Sequence, residues 1–267
     1  DLRMSRGLGD VYKRQVSNVV GSNIFNLMVV IGVCAMIATV NVAKETIKRD
    51  IPFSLICAGL LLILGILGVG DKSGMMLGHF DGVIFIGAFA GYIFYMIKIA
   101  LKASKEGKKV EIEGGSDEDI KLISVPLSIL FIVGGAAAIA VGGDITVDAA
   151  SRIASDLGMS QTLIGLTIVS IGTSLPELVT SVTAARRGNT GIAIGNIVGS
   201  NIFNILFVIG TTALICTVPF ESKFIIDTVI AVLCGVILWI GTFRHKELRK
   251  PCRLSLIHIS EPTRHAQ

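Results

Sequence analysis

Apolar stretches of roughly twenty residues, the length a helix needs to cross about 30 Å of hydrocarbon, recur along the chain between short polar turns. They predict seven spans, at approximately 19–40, 51–69, 82–101, 122–142, 161–184, 193–216 and 225–243. One connection is longer and hydrophilic. Residues 102–121 carry Lys105, Lys108, Lys109, Glu111, Glu113, Asp117, Glu118 and Asp119 around Gly114, Gly115 and Ser116, a solvated, flexible linker between two bundles. Composition agrees with the pattern. With 52% apolar residues, 16% charged residues and a mean hydropathy of +0.74, the chain lies far from soluble domains, whose charged share is about 25%. The expected fold class is all-α, a polytopic membrane bundle. A net charge of +4 makes no case for nucleic acid. Cys34, Cys57, Cys216, Cys234 and Cys252 lie mostly within apolar runs without metal-type spacing, and read as small buried hydrophobes.

Within this pattern one phrase occurs twice. Residues 16–32 read VSNVVGSNIFNLMVVIG and residues 194–210 read IGNIVGSNIFNILFVIG, with eleven of seventeen positions identical at an offset of 178. Each copy opens an apolar run yet places Gly, Ser and Asn inside it, which points to a duplicated transporter with polar groups at mid-membrane. Lys and Arg follow the first, third, fifth and seventh spans (Lys44, Lys48, Arg49; Lys98 to Lys109; Arg186, Arg187; Arg244 to Arg253). These ends, and the 102–121 linker, are therefore expected to be cytoplasmic. The two copies fall on the first and sixth spans, five crossings apart, so they are expected to run in opposite directions as an inverted repeat.

The ends read differently from the rest. Codons for Ser5 to Gln15 can be written so that their reverse complement translates as Leu254 to Arg264, and the agreement continues outward to Leu2 and Gln267. Residues 1–15 and 254–267 are accordingly expected to be translated sequencing adapter. That leaves 16–101 as the remainder of a first repeat, with three helices, and 122–253 as a second repeat with four.

The chemistry concentrates at Gly172-Thr173-Ser174-Leu175-Pro176-Glu177, in the middle of the fifth span. Pro176 has no amide hydrogen and should free carbonyls near Gly172 and Thr173. Freed carbonyls are tolerated at membrane depth only against protein or a wet cavity, where they can bind cations. Ser170, Thr173, Ser174 and Glu177 share a helix face by their spacing, and an intramembrane carboxylate is a functional candidate by default. Ser200 and Asn204 add a hydroxyl and an amide oxygen at i, i+4, mirrored by Ser22 and Asn26 in the first copy. This all-oxygen set suits Ca²⁺ or Na⁺, and no His or Cys joins it to favour a soft metal. Gly195 and Gly199 read as sites of close helix packing. Each hydroxyl taken alone fits better as a group bonded back to its own helix, and only together do they point to a site. Asp144, Asp148, Arg152 and Asp156 read as an interfacial or vestibule face, Asp227 as a headgroup-level residue, Trp239 as an interface anchor and His79 as a loop residue.

GTSLPE at 172–177, GNIVGSNIFN at 195–204 and SNVVGSNIFN at 17–26 together resemble the two alpha repeats of the cation/calcium exchanger superfamily, in particular its prokaryotic sodium/calcium antiporters. The resemblance runs over 16–253, and the seven spans resemble that family's third to ninth helices of ten. It implies an alternating-access antiporter that exports Ca²⁺ for Na⁺, without cofactor or covalent chemistry, in a bacterial or archaeal inner membrane, with the bilayer as its partner and no obligatory protein partner. It also implies that Glu177 bridges a Ca²⁺ site and adjacent Na⁺ sites, with Thr173, Ser174, Ser200 and the Ser170 carbonyl at flanking Na⁺ sites and Ser22 their mirror. Asn204 stands where some members carry Asp, and the first repeat's own GTS-x-PE helix is missing before Val16. A Ca²⁺/H⁺ antiporter of the same superfamily is the alternative reading, and a cation channel or an intramembrane enzyme fits less well. A third reading is that a chain short of three expected helices is inactive by itself.

Overall fold

A computed structural model describes residues 15–68, 75–105, 124–160, 164, 168, 170–245 and 247–248. Residues 1–14 and 254–267 of the terminal segments expected to be adapter, most of the 102–121 linker and Cys252 lie outside them, whereas Gln15, the last residue of the first such segment, is described as the start of α1. Among the described residues, six helices are long and apolar enough to cross a membrane. They are α1 (Gln15–Ile37), α2 (Thr46–Leu67), α3 (His79–Lys105), α4 (Val125–Asp156), α6 (Thr190–Ile215) and α7 (Ser222–His245). The shorter α5 (Leu175–Arg186) precedes α6.

Two expectations change here. Hydropathy ends the fourth span at 142, but α4 runs unbroken to Asp156. Gly142 and Gly143 interrupt the apolar run without removing any helical hydrogen bond, and Asp144, Asp148, Arg152 and Asp156 follow at i, i+4 spacing along the same helix. The stop comes at Gly158, whose φ of +86° suits glycine. There the Gly158 amide donates to Ser155 and the Met159 amide to Ala154. The fifth span is not one continuous helix. A helical turn at Ser170–Gly172 gives way to a turn at Thr173 and Ser174, and α5 starts afresh at Leu175.

The inversion is visible in the contacts. α1 and α6 carry the repeated motif, and each is loosened by a π-helical segment that begins at an equivalent asparagine, Asn26–Val30 and Asn204–Ile209. Just past the C-terminal end of α1, the Asn41 amide donates to Thr190 Oγ1 (3.3 Å), and that hydroxyl donates back to the Asn41 carbonyl (3.2 Å). Thr190 opens α6, so the end of one motif helix meets the start of the other and the two run antiparallel. Short strands repeat the relation: β1 (Val40–Asn41) pairs with β4 (Glu247–Leu248), and β3 (Val218–Pro219) pairs with β2 (Met76–Leu77). β1 and β3 are themselves 178 residues apart.

The motif helices form the core. Val16 and Val20 of α1 and Ile194, Ile197, Ile202, Leu206 and Ile209 of α6 are fully buried. Outward faces of α3 and α4 expose Phe94, Ile97, Phe131, Ile132 and Val133, the arrangement lipid favours and water does not. Close helix approach falls on glycines other than those expected. A Cβ on Gly82 would sit 2.6 Å from the Leu214 amide nitrogen, and one on Gly210 would sit 2.9 Å from Phe85 Cβ, so α3 and α6 touch at backbone distance. Beside Gly195 and Gly199 no described atom lies within 4 Å of such a Cβ. The same holds for Gly21, the equivalent of Gly199. Trp239 also departs from a simple lipid anchor, because its indole Nε1 donates to the Ile47 carbonyl (2.9 Å) and ties α7 to α2. His79 is the exposed first residue of α3.

Candidate functional site

The site is built on the break before α5. Residue 176 is proline, so the Gly172 carbonyl has no i+4 amide to receive, and the Ser174 amide turns back to Ile171 (3.0 Å) while the Ser174 carbonyl accepts from Leu178 (3.1 Å). Pro176 costs nothing in its own place, since a first-turn residue needs no amide donor. α4 closes one side: a Cβ on Gly172 would collide with Val147, and a Cβ on Gly143 would lie 3.7 Å from Cγ of the Pro176 ring.

Side chains then fasten the break to both motif helices. Thr173 Oγ1 donates to Asn18 Oδ1 (3.2 Å) and lies 3.5 Å from Ser22 Oγ, both on α1. From α6, Asn196 Nδ2 donates to the Glu177 carbonyl (3.4 Å) and to Ser181 Oγ (3.0 Å). Between the motif helices, Asn26 Nδ2 donates to Ser200 Oγ and Asn201 Oδ1, both at 3.1 Å, and Asn204 Nδ2 donates to Asn23 Oδ1 at 3.2 Å.

What these contacts leave over is a set of oxygens. Among the described residues, Asn26 Oδ1, Ser174 Oγ and Glu177 Oε2 are buried without a hydrogen-bond partner, as are Asp81 Oδ1 on α3 and Ser151 Oγ on α4. Asn26 and Ser174 are each 1% exposed. Leaving a buried acceptor unmade costs about 1–3 kcal/mol, and more when it is charged, so three such oxygens from α1 and from the break call for a positive partner. Two hard-cation donor types, carboxylate and amide carbonyl, are represented, together with a hydroxyl. No group of three or more His, Cys, Asp or Glu side chains able to hold a metal occurs among the described residues.

Of the eight residues singled out from the sequence, Ser22, Asn26, Thr173, Ser174, Glu177, Ser200 and Asn204 meet where α1, α5 and α6 adjoin. The Ser170 backbone lies in the helical turn before the break, and its side chain is outside the described residues. Sequence reasoning misses Asn18, Asn23, Asn196 and Asn201. All four are legible as two further pairs at the 178-residue offset, inside the repeated phrase itself.

Comparison with known proteins gives the class. The sodium/calcium exchanger protein family model matches residues 6–98 and 127–252, and the chain belongs to that family of integral membrane transporters. It is 37% identical to CaxA of Alkalimonas amylolytica over 204 residues, covering 75% of this chain and 60% of CaxA. Against the sodium/calcium exchanger MaX1 of Methanosarcina acetivorans it is 29% identical over 232 residues, covering 74% of this chain and 64% of MaX1. A solved structure of the sodium-calcium exchanger NCX_Mj, soaked with 2.5 mM Na⁺ and 0.1 mM Ca²⁺, superposes with a TM-score of 0.71 at 26% identity, covering 96% of this chain and 78% of that one. The chain thus spans about two thirds or less of these curated relatives. The expected family and helical membrane fold are borne out.

Proposed function

We propose that the protein is a secondary active antiporter that exports Ca²⁺ in exchange for Na⁺ by alternating access, with the ions bound at the break before α5. The observation that carries this reading is the trio of buried, unpartnered oxygens on Asn26, Ser174 and Glu177, set beside a carbonyl freed by Pro176. Glu177 supplies the charge that a cation must neutralise. Ser174, Thr173 and the Ser170 and Gly172 carbonyls serve flanking positions from the break, Ser22 and Asn26 from α1, and Ser200 and Asn204 from α6.

Coupling follows from electrostatics. An ionised Glu177 without a counter-ion is expensive in low dielectric, so a face change with the site empty is disfavoured. Ca²⁺ and Na⁺ compete for one set of oxygens, and whichever fills the site is carried. The protein resides in a prokaryotic inner membrane, with the basic ends after α1, α3 and α5, and the 102–121 linker, on the cytoplasmic side.

The test is competition at equilibrium. Radioactive ⁴⁵Ca²⁺ bound to purified protein should be displaced by Na⁺ with a Hill coefficient above one, and not by K⁺ at matched ionic strength. Displacement by falling pH with no effect of Na⁺ would assign the site to Ca²⁺/H⁺ exchange instead.

A further inference from the structure

An asparagine presents an oxygen on one side of its amide and an NH₂ on the other, and only the oxygen can hold a cation. Something must therefore set which way Asn26 and Asn204 face. The contacts between α1 and α6 do so, because they start from groups whose polarity cannot change. Asn201 Nδ2 donates to the backbone carbonyl of Asn23 (3.4 Å). A carbonyl only accepts, so the Asn201 nitrogen is committed to it and Asn201 Oδ1 must face the other way, where it accepts from Asn26 Nδ2 (3.1 Å). Asn26 is thereby turned with its nitrogen toward α6, and its Oδ1 stays buried and unpartnered among the described residues. The inverted copy does the same. Asn23 Nδ2 donates to the Asn201 carbonyl (3.4 Å), and Asn23 Oδ1 accepts from Asn204 Nδ2 (3.2 Å). Asn23 and Asn201 are 3% and 1% exposed, so water does not compete for these bonds.

We propose that Asn23 and Asn201 are positioning residues: each relays the fixed polarity of a backbone carbonyl on the opposite repeat to the site asparagine, so that Asn26 and Asn204 offer oxygen rather than nitrogen to the cation. The relay rests on the ion-binding reading above. It crosses between the repeats, because Asn201 of the second orients Asn26 of the first and Asn23 of the first orients Asn204 of the second. The two arms are unequal. Asn26 has a second fixed acceptor, since Ser200 Oγ donates to the Ile197 carbonyl (3.1 Å) and so accepts from Asn26 (3.1 Å). Loss of Asn201 thus weakens the orientation of Asn26, and combined loss of Asn201 and Ser200 removes it.

A carboxylate has oxygen on both sides and needs no such orientation, which gives a test that a merely structural role would not pass. ⁴⁵Ca²⁺ equilibrium binding to purified protein is compared for wild type, Asn201→Leu, Asn26→Asp and the double variant, with thermal melting of each. Asn201→Leu should weaken binding about three- to fivefold, short of the about tenfold worth of one oriented dipole on a cation because Ser200 still accepts from Asn26. In the Asn26→Asp background the same Asn201→Leu change should cost less than about twofold, whatever its effect on melting. Equal losses in both backgrounds would overturn the relay and leave Asn201 as packing, as would an Asn201→Leu variant that binds like wild type. A wild-type protein that binds no Ca²⁺ would instead sink the ion-binding reading beneath it.

Discussion

At the scale of single residues, the site is defined by what its side chains lack. Glu177 has its backbone carbonyl held by Asn196 and its Oε2 buried without a partner, so its charge is the one feature a neutral isostere removes. Glu177→Gln should weaken ⁴⁵Ca²⁺ binding more than about 100-fold, since stripping one partner from a buried charge pair costs about 3–5 kcal/mol. Melting of the ion-free protein should hold or rise, because an unpaired buried charge is gone. The chemistry of Glu177, Ser174, Ser22 and Asn26 was legible in the sequence because a carboxylate, a proline and a repeated Ser/Asn pair are costly inside apolar runs unless a bound ion or a partner offsets them. Asn23 and Asn201 were not. Their partners are each other's backbone carbonyls, and no spacing within one helix reveals a contact made across two.

At the scale of elements, the break before α5 and the contact of α3 with α6 give opposite predictions. Pro176→Ala returns an amide to the Gly172 carbonyl and mends the helix. It should weaken Ca²⁺ binding about three- to tenfold, by occupying one ligand, while leaving melting unchanged or higher. A fall in both would show that the break serves packing instead. Gly82→Leu places a side chain against the Leu214 backbone, which cannot move aside as a side-chain tip can. Overpacking of this kind costs about 1–3 kcal/mol, and a lower melting temperature with unchanged Ca²⁺ affinity in the surviving fold is expected. Element existence could be read from apolar length, but α4 overran its expected end by fourteen residues. Hydropathy marks where lipid stops and says nothing of where helical hydrogen bonds stop; that is set by Gly158. Among the described residues the close helix approach falls at Gly82 and Gly210 rather than at Gly195 and Gly199, because a small residue in a membrane helix permits an approach without specifying which neighbour makes it.

At the scale of the whole molecule, the inverted repeat could be inferred from the repeated phrase and the parity of the spans between its copies, and the Asn41–Thr190 contact bears it out. Topology follows from it. In a variant freed of native cysteines, Lys44→Cys and Arg187→Cys should react with a membrane-impermeant maleimide from the same side and Lys223→Cys from the other; labelling of all three from one side would refute the inversion. Central to the account is that one carboxylate-centred site couples two cations. The direct measurement is ⁴⁵Ca²⁺ uptake into liposomes containing the protein, driven by an outward Na⁺ gradient, beside Glu177→Gln. The account predicts uptake that requires the Na⁺ gradient and disappears in the variant. Uptake that persists in Glu177→Gln, or that proceeds without Na⁺, would contradict it.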